Sequence, residues 1–440
     1  MITEEQIDLL VERLVERINK ANIYFLKNIG SSLKKIRELT PTKAHELVQI
    51  LQYGGNYEEI VQQISKYTNL NVSEIDEIFN AYASKDYSFY KRFYEYRNIP
   101  FVPFKENTIL RNQTQALANI VKKEMYDYFR TNVLGYSIRG LDGKVKFMGL
   151  RETYNYLLDE ALLNVGQGKE TFDNAMSRIL KQVGSSGLKT IDYKSGRSVR
   201  LDSTIRMHLR SSLRELHNEN EEIIGEEIGA DGVEITVHGN PAPDHQNIQG
   251  RQFSKEEFAK LQNGEVAKAY NGKVYSLDHD DNGSYRPISQ LNCYHEVFSV
   301  ILGVNKPQYT DKQLDDIIKA NNEGFEYEGK HYTNYQGEQL QRALERKIRE
   351  QKDIQILAKE SDNKELIGEA QNNITLLTRK YKELSDISKL PPKMKRLQVA
   401  NYKRVAKSKL KWYNLFVIYK KTGEWGYTLT LPMIVEYVSG

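Results

Sequence analysis

The chain has 440 residues, 28% of them charged, with a net charge of +4 and a mean hydropathy of −0.63. At about 100–200 residues per domain, this length allows two to four structural units. The hydrophilic composition argues against an enzyme with one large apolar core. It favours long amphipathic helices with broad wet faces, or surfaces that are buried only in an assembly. The net charge alone is too small to indicate nucleic-acid binding.

The sequence shows no feature of an exported or membrane-spanning protein. Cys293 is the single cysteine, which excludes an intrachain disulfide. The segment MITEEQIDLLVERLVERI is charged throughout and has no apolar centre of the kind found in secretion signals. No apolar run approaches the roughly 20 residues that span a bilayer. We therefore expect a soluble protein that is made and used in a cytoplasm, without a membrane partner.

Helical periodicity dominates the first half of the chain. Helices are predicted over 3–50, 57–82 (with a fresh start capped by Ser73), 107–134, 150–185 (ending near Gly184 and Gly187) and 202–228. The tyrosine-rich segment 87–104 carries Pro100 and Pro103, which block helix continuation, and is predicted to be a linker. A short hairpin is expected at Gly140 and Gly143, and the piece TIDYKSGRSVRLDS should be extended with a Ser-Gly turn.

The pattern changes at Gly229, where VEITVHG alternates like a strand and short strands and turns continue to Pro307. Beyond it, apolar stripes over 340–357 and 366–384 flank the polar break SDN, which predicts an antiparallel helical hairpin. The expected fold is mainly α, with long helices, a small central α+β domain and this C-terminal antiparallel helical hairpin. The expected regions are 1–104, 105–228, 229–308, 309–388 and a basic aromatic tail, 389–440.

One set of side chains in the α+β region has the chemistry of a zinc site. It consists of His238, His245, Cys293 and His295, with Asp244 beside it. Imidazole and thiolate are the usual zinc ligands, and four of them complete a tetrahedral site. One ion joining two distant segments would suit a small, loop-rich domain. The spacing matches no standard finger or ribbon, so a buried, hydrogen-bonded polar cluster is the alternative.

A metal-dependent nuclease or other hydrolase is the competing interpretation of the same region. The Asp-His pair 244–245, a downstream Asn282 or Asn292, and His295 could activate water beside a divalent ion. The acidic run 278–281 could bind that ion through oxygen ligands, or could simply be a solvated turn. The Walker A, dinucleotide-binding, HExxH and GxSxG motifs are absent from the sequence, which lowers the expectation of an enzyme.

Segment 389–421 is rich in Lys and Arg and contains neither Asp nor Glu. Its cations, with Tyr402 and Trp412 among them, could follow a phosphate backbone and stack on bases. A solvated basic face, or a contact with an acidic partner, explains the same composition. The candidate nucleic-acid contacts are Lys393, Lys395, Arg396, Lys403, Arg404, Lys407, Lys409 and Lys411.

Three further sequence segments are informative because of the order in which they occur along the chain. They are IDYKSGRSVRLDSTIRMHLRSS (191–212), VEITVHGNPAPDHQNIQGRQFS (233–254), and the stretch from NCYHEVFSVILGVNKP to HYTNYQGEQLQRALERKIREQK (292–352). Together they resemble the phage minor capsid proteins of the minor capsid protein 2 type, from tailed phages and prophages of Gram-positive bacteria. That family is related to the phage head-morphogenesis superfamily. Two arginines of the family pattern are replaced here, by Ala242 and Tyr294, while the Cys and His positions are kept.

The resemblance implies a structural, non-enzymatic protein of the phage head. It implies a low-copy role in head assembly at or near the portal, with the portal protein and other capsid proteins as partners. Packaged double-stranded DNA is a further candidate partner for the basic tail. The implied location is the virion head, and the host cytoplasm during assembly. Relatives in the wider superfamily carry Cys/His sets that resemble metal sites, which by analogy supports a structural zinc ion here.

Overall fold

The structure is a computed structural model that describes residues 4–37, 56–72, 74–130, 132–140, 143–166, 171–192, 195–277, 285–289, 293–400 and 402–404. The helices are α1 (Glu4–Arg37), α2 (Asn56–Val72), α3 (Ile75–Ser88), α4 (Lys91–Tyr96), α5 (Thr108–Tyr128), α6 (Leu150–Gly166), α7 (Phe172–Ser186), α8 (Leu201–Ile228), α9 (Lys255–Gln262), α10 (Asp311–Glu323), α11 (Asn334–Glu360) and α12 (Lys364–Ser388), followed by a 3-10 helix, Met394–Leu397. The strands are β1 (Leu134–Arg139), β2 (Val145–Gly149), β3 (Lys189–Ile191), β4 (Ser198–Arg200), β5 (Gly232–Ile235), β6 (Gln252–Ser254), β7 (Ala267–Lys268), β8 (Val274–Tyr275), β9 (Val297–Val300), β10 (Phe325–Tyr327) and β11 (Lys330–Tyr332).

Most of the described helices share one apolar core, which we call the body core. It includes Leu14, Phe25 and Ile29 of α1, which recur at helical spacing and are fully buried. It continues through the middle of the chain as far as Ala370 of α12. The mainly α fold is therefore as predicted, while the division into five regions stays a prediction. The rest of the predicted first helix, 38–50, and the predicted cap Ser73 lie outside the described residues.

Two predicted helices have different ends in the structure. The helix predicted over 107–134 ends at Tyr128, because the residues from Leu134 onward form β1 of a four-stranded antiparallel sheet, in the order β2-β1-β3-β4. The helix predicted over 150–185 is two helices, and the Thr171 hydroxyl accepts a hydrogen bond from a backbone amide at the start of the second. The sheet confirms the predicted hairpin (β1-β2) and the predicted Ser-Gly turn (between β3 and β4).

The segment 87–104 is not a linker in its first half, where α3 ends and α4 lies. Tyr90 and Tyr94 are each 1% exposed, and their hydroxyls donate hydrogen bonds to Glu221 and Glu227 of α8. A tyrosine can bury its ring in a core if its hydroxyl finds a partner. The linker prediction was wrong here because those partners are more than a hundred residues away in the sequence.

The C-terminal helical hairpin is confirmed. The α11 helix begins with a capping box formed by Thr333 and Gln336. Near the turn, Gln355 of α11 pairs with Gln371 of α12 at 3.2 Å. Near the open end, the Tyr381 hydroxyl lies 3.0 Å from a Glu345 carboxylate oxygen. Later residues of α12 thus meet earlier residues of α11, as an antiparallel pair requires.

The predicted α+β region forms a small unit, which we call the hub. Its three-stranded antiparallel sheet has the order β6-β5-β9. Its own apolar core includes Ile235, Phe253 and Cys293. The hub is tied to α8, because a Glu221 carboxylate oxygen accepts a hydrogen bond from the Ser299 amide of β9 at 2.8 Å. Among the described helices, none combines the length and the apolar character that crossing a membrane requires.

Candidate metal centre

The pairing of two hub strands brings the predicted ligands together. Ile235 at the end of β5 lies opposite Val297 at the start of β9. Because the strands are antiparallel, the residues that follow β5 lie beside those that precede β9. His238 and His295 therefore meet at one edge of the sheet. The turn between β5 and β6 then returns His245 to the same place.

Three of the four predicted ligands form a compact set, which we call the donor cluster: His245, Cys293 and His295. The Cys293 sulfur lies 3.2 Å from Nδ1 of His245 and 3.3 Å from Nδ1 of His295. Their ligand atoms all lie within 4.8 Å of one another, and no member is more than 2% exposed. The ring of His238, the fourth predicted ligand, has its centroid 4.6 Å from that of His295.

Two groups outside the predicted ligand set contact the outer nitrogens of the cluster. Nε2 of His245 lies 2.7 Å from the backbone carbonyl oxygen of Arg286. Nε2 of His295 lies 3.4 Å from Oε1 of Gln249, a side chain that is 1% exposed. Gln249 belongs to the Gln-Gly pair of the second segment, so its sequence position was a usable signal. The Arg286 carbonyl oxygen has no such signal, because every residue carries a backbone carbonyl.

Burial controls the charge of the donor cluster. Burial raises the pKa of the Cys293 thiol above its usual range. Burial, together with the neighbouring His238 and His245 rings, holds the pKa of His295 well below its usual range. At neutral pH, without a bound cation, the thiol and the His295 imidazole are therefore both uncharged. They can provide electron pairs, but His295 cannot act as a cation.

A cleft of about 600 Å³ opens beside the cluster, between the hub and α11. Its lining includes His238, Asn240, Tyr294, His295, Glu338, Arg342 and Lys393. The ring of Tyr294 lies against three guanidinium groups. Their distances from the ring centroid are 4.9 Å for Arg214 and 5.6 Å for both Arg210 and Arg342. Tyr294 thus makes cation–π contacts with arginines of both α8 and α11.

Only some residues of the competing hydrolase interpretation belong to the described part of the chain. The Asp244 carboxylate is held in a bidentate pair by Arg286, at 2.9 and 2.8 Å. His245 and His295 lie together as described. Asn282, Asn292 and the acidic run 278–281 lie outside the described residues.

Part of the basic tail packs along α11. Lys352 of α11 donates a hydrogen bond to the Leu397 carbonyl oxygen at 2.6 Å, and its ammonium lies 4.7 Å from the ring centroid of Tyr402. Of the candidate nucleic-acid contacts, the described ones are Lys393, Lys395, Arg396, Lys403 and Arg404. Lys395, Lys403 and Arg404 are exposed. The candidates outside the described residues are Lys407, Lys409 and Lys411.

The fold and the site together define a helical scaffold that carries a small hub with a buried His/Cys cluster. The model of one family, phage minor capsid protein 2, matches residues 2–386. The chain therefore belongs to this family of phage minor capsid proteins, and association with other virion proteins follows from that membership. Comparisons with curated proteins and with solved structures give no significant match.

Proposed function

We propose that this chain acts in head assembly at or near the portal, in low copy, bound to the portal protein and other capsid proteins. It would assemble in the host cytoplasm and remain in the head. The observation that carries the proposal is the family match over residues 2–386. Exposed apolar side chains at the end of α4, in the connection that follows and in the first turn of α5 add support: Tyr96 is 78% exposed, Val102 43% and Ile109 59%. Such side chains suit a contact with a partner protein.

Asymmetric reconstruction of intact heads tests the portal position. We expect density for this chain at the portal vertex and none at the other vertices. Copies spread over the shell would contradict the proposed position. Heads that form in normal number and shape without the chain would contradict a role in assembly.

A variant carrying Tyr96→Asp, Val102→Asp and Ile109→Asp tests the proposed contact surface. We expect fewer copies per head, because three charges would oppose an apolar contact. The matched control places Asp at Val266, Val274 and Val304 of the hub, which are 63%, 62% and 56% exposed. An unchanged copy number in the first variant would remove this surface from the proposal.

We further propose that the basic tail contacts packaged double-stranded DNA. The support is the exposure of Lys395, Lys403 and Arg404 on a backbone held against α11 by Lys352. Cations in a fixed arrangement can neutralise several phosphates together. The contact would be independent of DNA sequence, because phosphate contacts carry no base information.

Binding of the full chain to duplex DNA over a salt series tests the proposed DNA contact. Each lost phosphate contact lowers the log–log salt slope by about 0.9, so Lys395→Gln, Lys403→Gln and Arg404→Gln together should lower it by about 2–3. The control variant removes the same charge from the exposed Lys312, Lys319 and Lys330. Equal slopes for the two variants would refute the assignment.

The hydrolase interpretation has less support than a structural role. Asp244 is engaged by Arg286, and no member of the donor cluster is more than 2% exposed. Incubation of the full chain with DNA and either Mg²⁺ or Zn²⁺ tests this. Cleavage that disappears in His295→Ala would overturn the structural interpretation of the cluster.

A further inference from the structure

The hydrogen bond of His245 determines which of its ring nitrogens carries the proton. Its Nε2 lies 2.7 Å from the carbonyl oxygen of Arg286, and a carbonyl oxygen can only accept. Nε2 is therefore the protonated nitrogen. In the neutral ring, the electron pair on Nδ1 then faces the Cys293 sulfur, 3.2 Å away.

The same argument applies to His295 through an amide. Oε1 of Gln249 accepts a hydrogen bond from the backbone N–H of His238 at 2.9 Å, which sets the orientation of the amide. His295 Nε2, 3.4 Å from that oxygen, must therefore donate to it. The electron pair on Nδ1 of His295 also faces the Cys293 sulfur, 3.3 Å away.

Two electron pairs thus converge on one sulfur atom. A thiol carries one proton and can donate it to only one of the two nitrogens at a time. A metal ion accepts an electron pair from all three atoms. Hydrogen bonds that fix the tautomers of metal-binding histidines from outside are typical of such sites. The backbone N–H of His295 also lies 3.4 Å from the sulfur and can donate to it.

The donor types select the ion, and the two distances to sulfur are compatible with it. In a tetrahedral zinc site, bonds of about 2.3 Å to sulfur and 2.0–2.1 Å to nitrogen place these atoms about 3.5 Å apart. The observed separations are 3.2 and 3.3 Å. One thiolate and two imidazoles suit zinc rather than calcium or magnesium, which prefer oxygen.

We propose that His245, Cys293 and His295 bind a structural zinc ion, with His238 as the fourth ligand. His238 lies next to His295 at the cleft side of the cluster. The ion would join the turn after β5 to the segment before β9. It would therefore cross-link the hub, whose own apolar core is small. The inference goes beyond the proposed function and does not depend on the position of the chain in the head.

Metal analysis of the full chain is the first test. We expect one zinc ion per chain after purification without chelator. Removal of the ion should lower the melting temperature, and added zinc should restore it in proportion to the logarithm of its free concentration. A chain that holds no zinc after purification and gains no stability from added zinc would overturn the proposal.

Variants of the ligands are the second test, applied to chains whose helical circular dichroism is unchanged. Cys293→Ala and His295→Ala should lose the ion, and His238→Ala should bind it more weakly. With cobalt in place of zinc, the wild-type chain should show thiolate-to-metal charge-transfer absorption, and Cys293→Ala should not. His331→Ala, at an exposed position in β11, is the control and should keep the ion. Full zinc content in Cys293→Ala would exclude this site.

Gln249, the hydrogen-bond partner of His295, provides a third test that leaves all the ligands in place. Gln249→Leu removes the group that orients His295, and we expect zinc affinity to fall by about 10–100-fold. A hydrogen-bonded polar cluster without metal predicts no zinc-dependent stability in any of these proteins. Unchanged zinc affinity in Gln249→Leu would overturn the assigned tautomer of His295.

Discussion

His217 lies at a point where the helices meet the hub. Its Nδ1 is 2.8 Å from Asp86 of α3, and its Nε2 is 3.1 Å from the Val297 carbonyl oxygen of β9. Both partners can only accept, so both nitrogens carry protons and the ring is a cation. Burial by itself lowers the pKa of His217, but Asp86, with Glu221 and Glu296 nearby, raises it to about 10.

The ion pair of His217 and Asp86 makes the free energy of unfolding depend on pH in a defined direction. The pKa of His217 is about 10 in the fold and about 6.5 in the unfolded chain. Its contribution is therefore fully present below about pH 6.5 and is lost as the pH rises through 10. Denaturant unfolding between pH 6 and pH 10.5 should show a decline in the free energy of unfolding across this window.

Asp86→Asn should remove that decline and lower the free energy of unfolding at pH 7 by about 3–5 kcal/mol, because it leaves a buried imidazole without its counter-charge. Glu95→Gln is the control, since it removes one partner of an exposed ion pair and should change stability by less than about 0.5 kcal/mol. A wild-type pH profile in Asp86→Asn would show that the pair does not control stability.

The long helices, the two predicted hairpins and the hub strand after Gly229 were predictable because apolar periodicity and turn residues are local signals. The role of Gly184 was not. The sequence predicted a helix end near Gly184 and Gly187, and α7 does end there, at Ser186 with Gly187 (φ +61°) as its C-cap. Gly184 itself lies inside the helix and allows α11 to approach. A Cβ there would lie 2.5 Å from Ile354 Cγ1 and 2.9 Å from the Ile354 backbone nitrogen.

Gly184→Ala should therefore destabilise the protein by about 1–3 kcal/mol, although alanine favours a helix by about 1 kcal/mol. The reason is that backbone atoms of α11 cannot move aside as a flexible side chain could. Thermal unfolding measures the effect. Gly149→Ala is the comparison, since a Cβ at Gly149 meets no described atom within 4 Å. Equal melting temperatures for Gly184→Ala and the wild type would show that α7 and α11 pack less closely than described.

At the scale of the whole molecule, the body core joins helices that are far apart in the sequence. Leu14 of α1 and Leu357 of α11 are both fully buried in it. Glu360 and Leu357 of the hairpin lie within 3.1 Å of where a Cβ of Gly30 would be. Helices that share a core in this way should unfold together.

Leu357→Ala should lower the free energy of unfolding by about 2–5 kcal/mol. Hydrogen exchange should then accelerate in α1 as well as in α11 and α12. Val304→Ala, a change at a 56%-exposed hub residue, should leave exchange in all three helices unchanged. Acceleration confined to α11 and α12 would instead support the predicted boundary at residue 309.

The sequence by itself determined the family, the mainly α class, the helical hairpin and the types of residue at the donor cluster. These depend on local periodicity and on residue identity, which can be read directly along the chain. Only the tertiary structure decided that Tyr90 and Tyr94 are buried against α8, that Gly184 serves a helix contact, and that Gln249 and the Arg286 carbonyl orient the two histidines. Each depends on a partner that is distant in the sequence. Neither the position of a backbone carbonyl nor a close approach of two helices can be recognised from the amino-acid sequence.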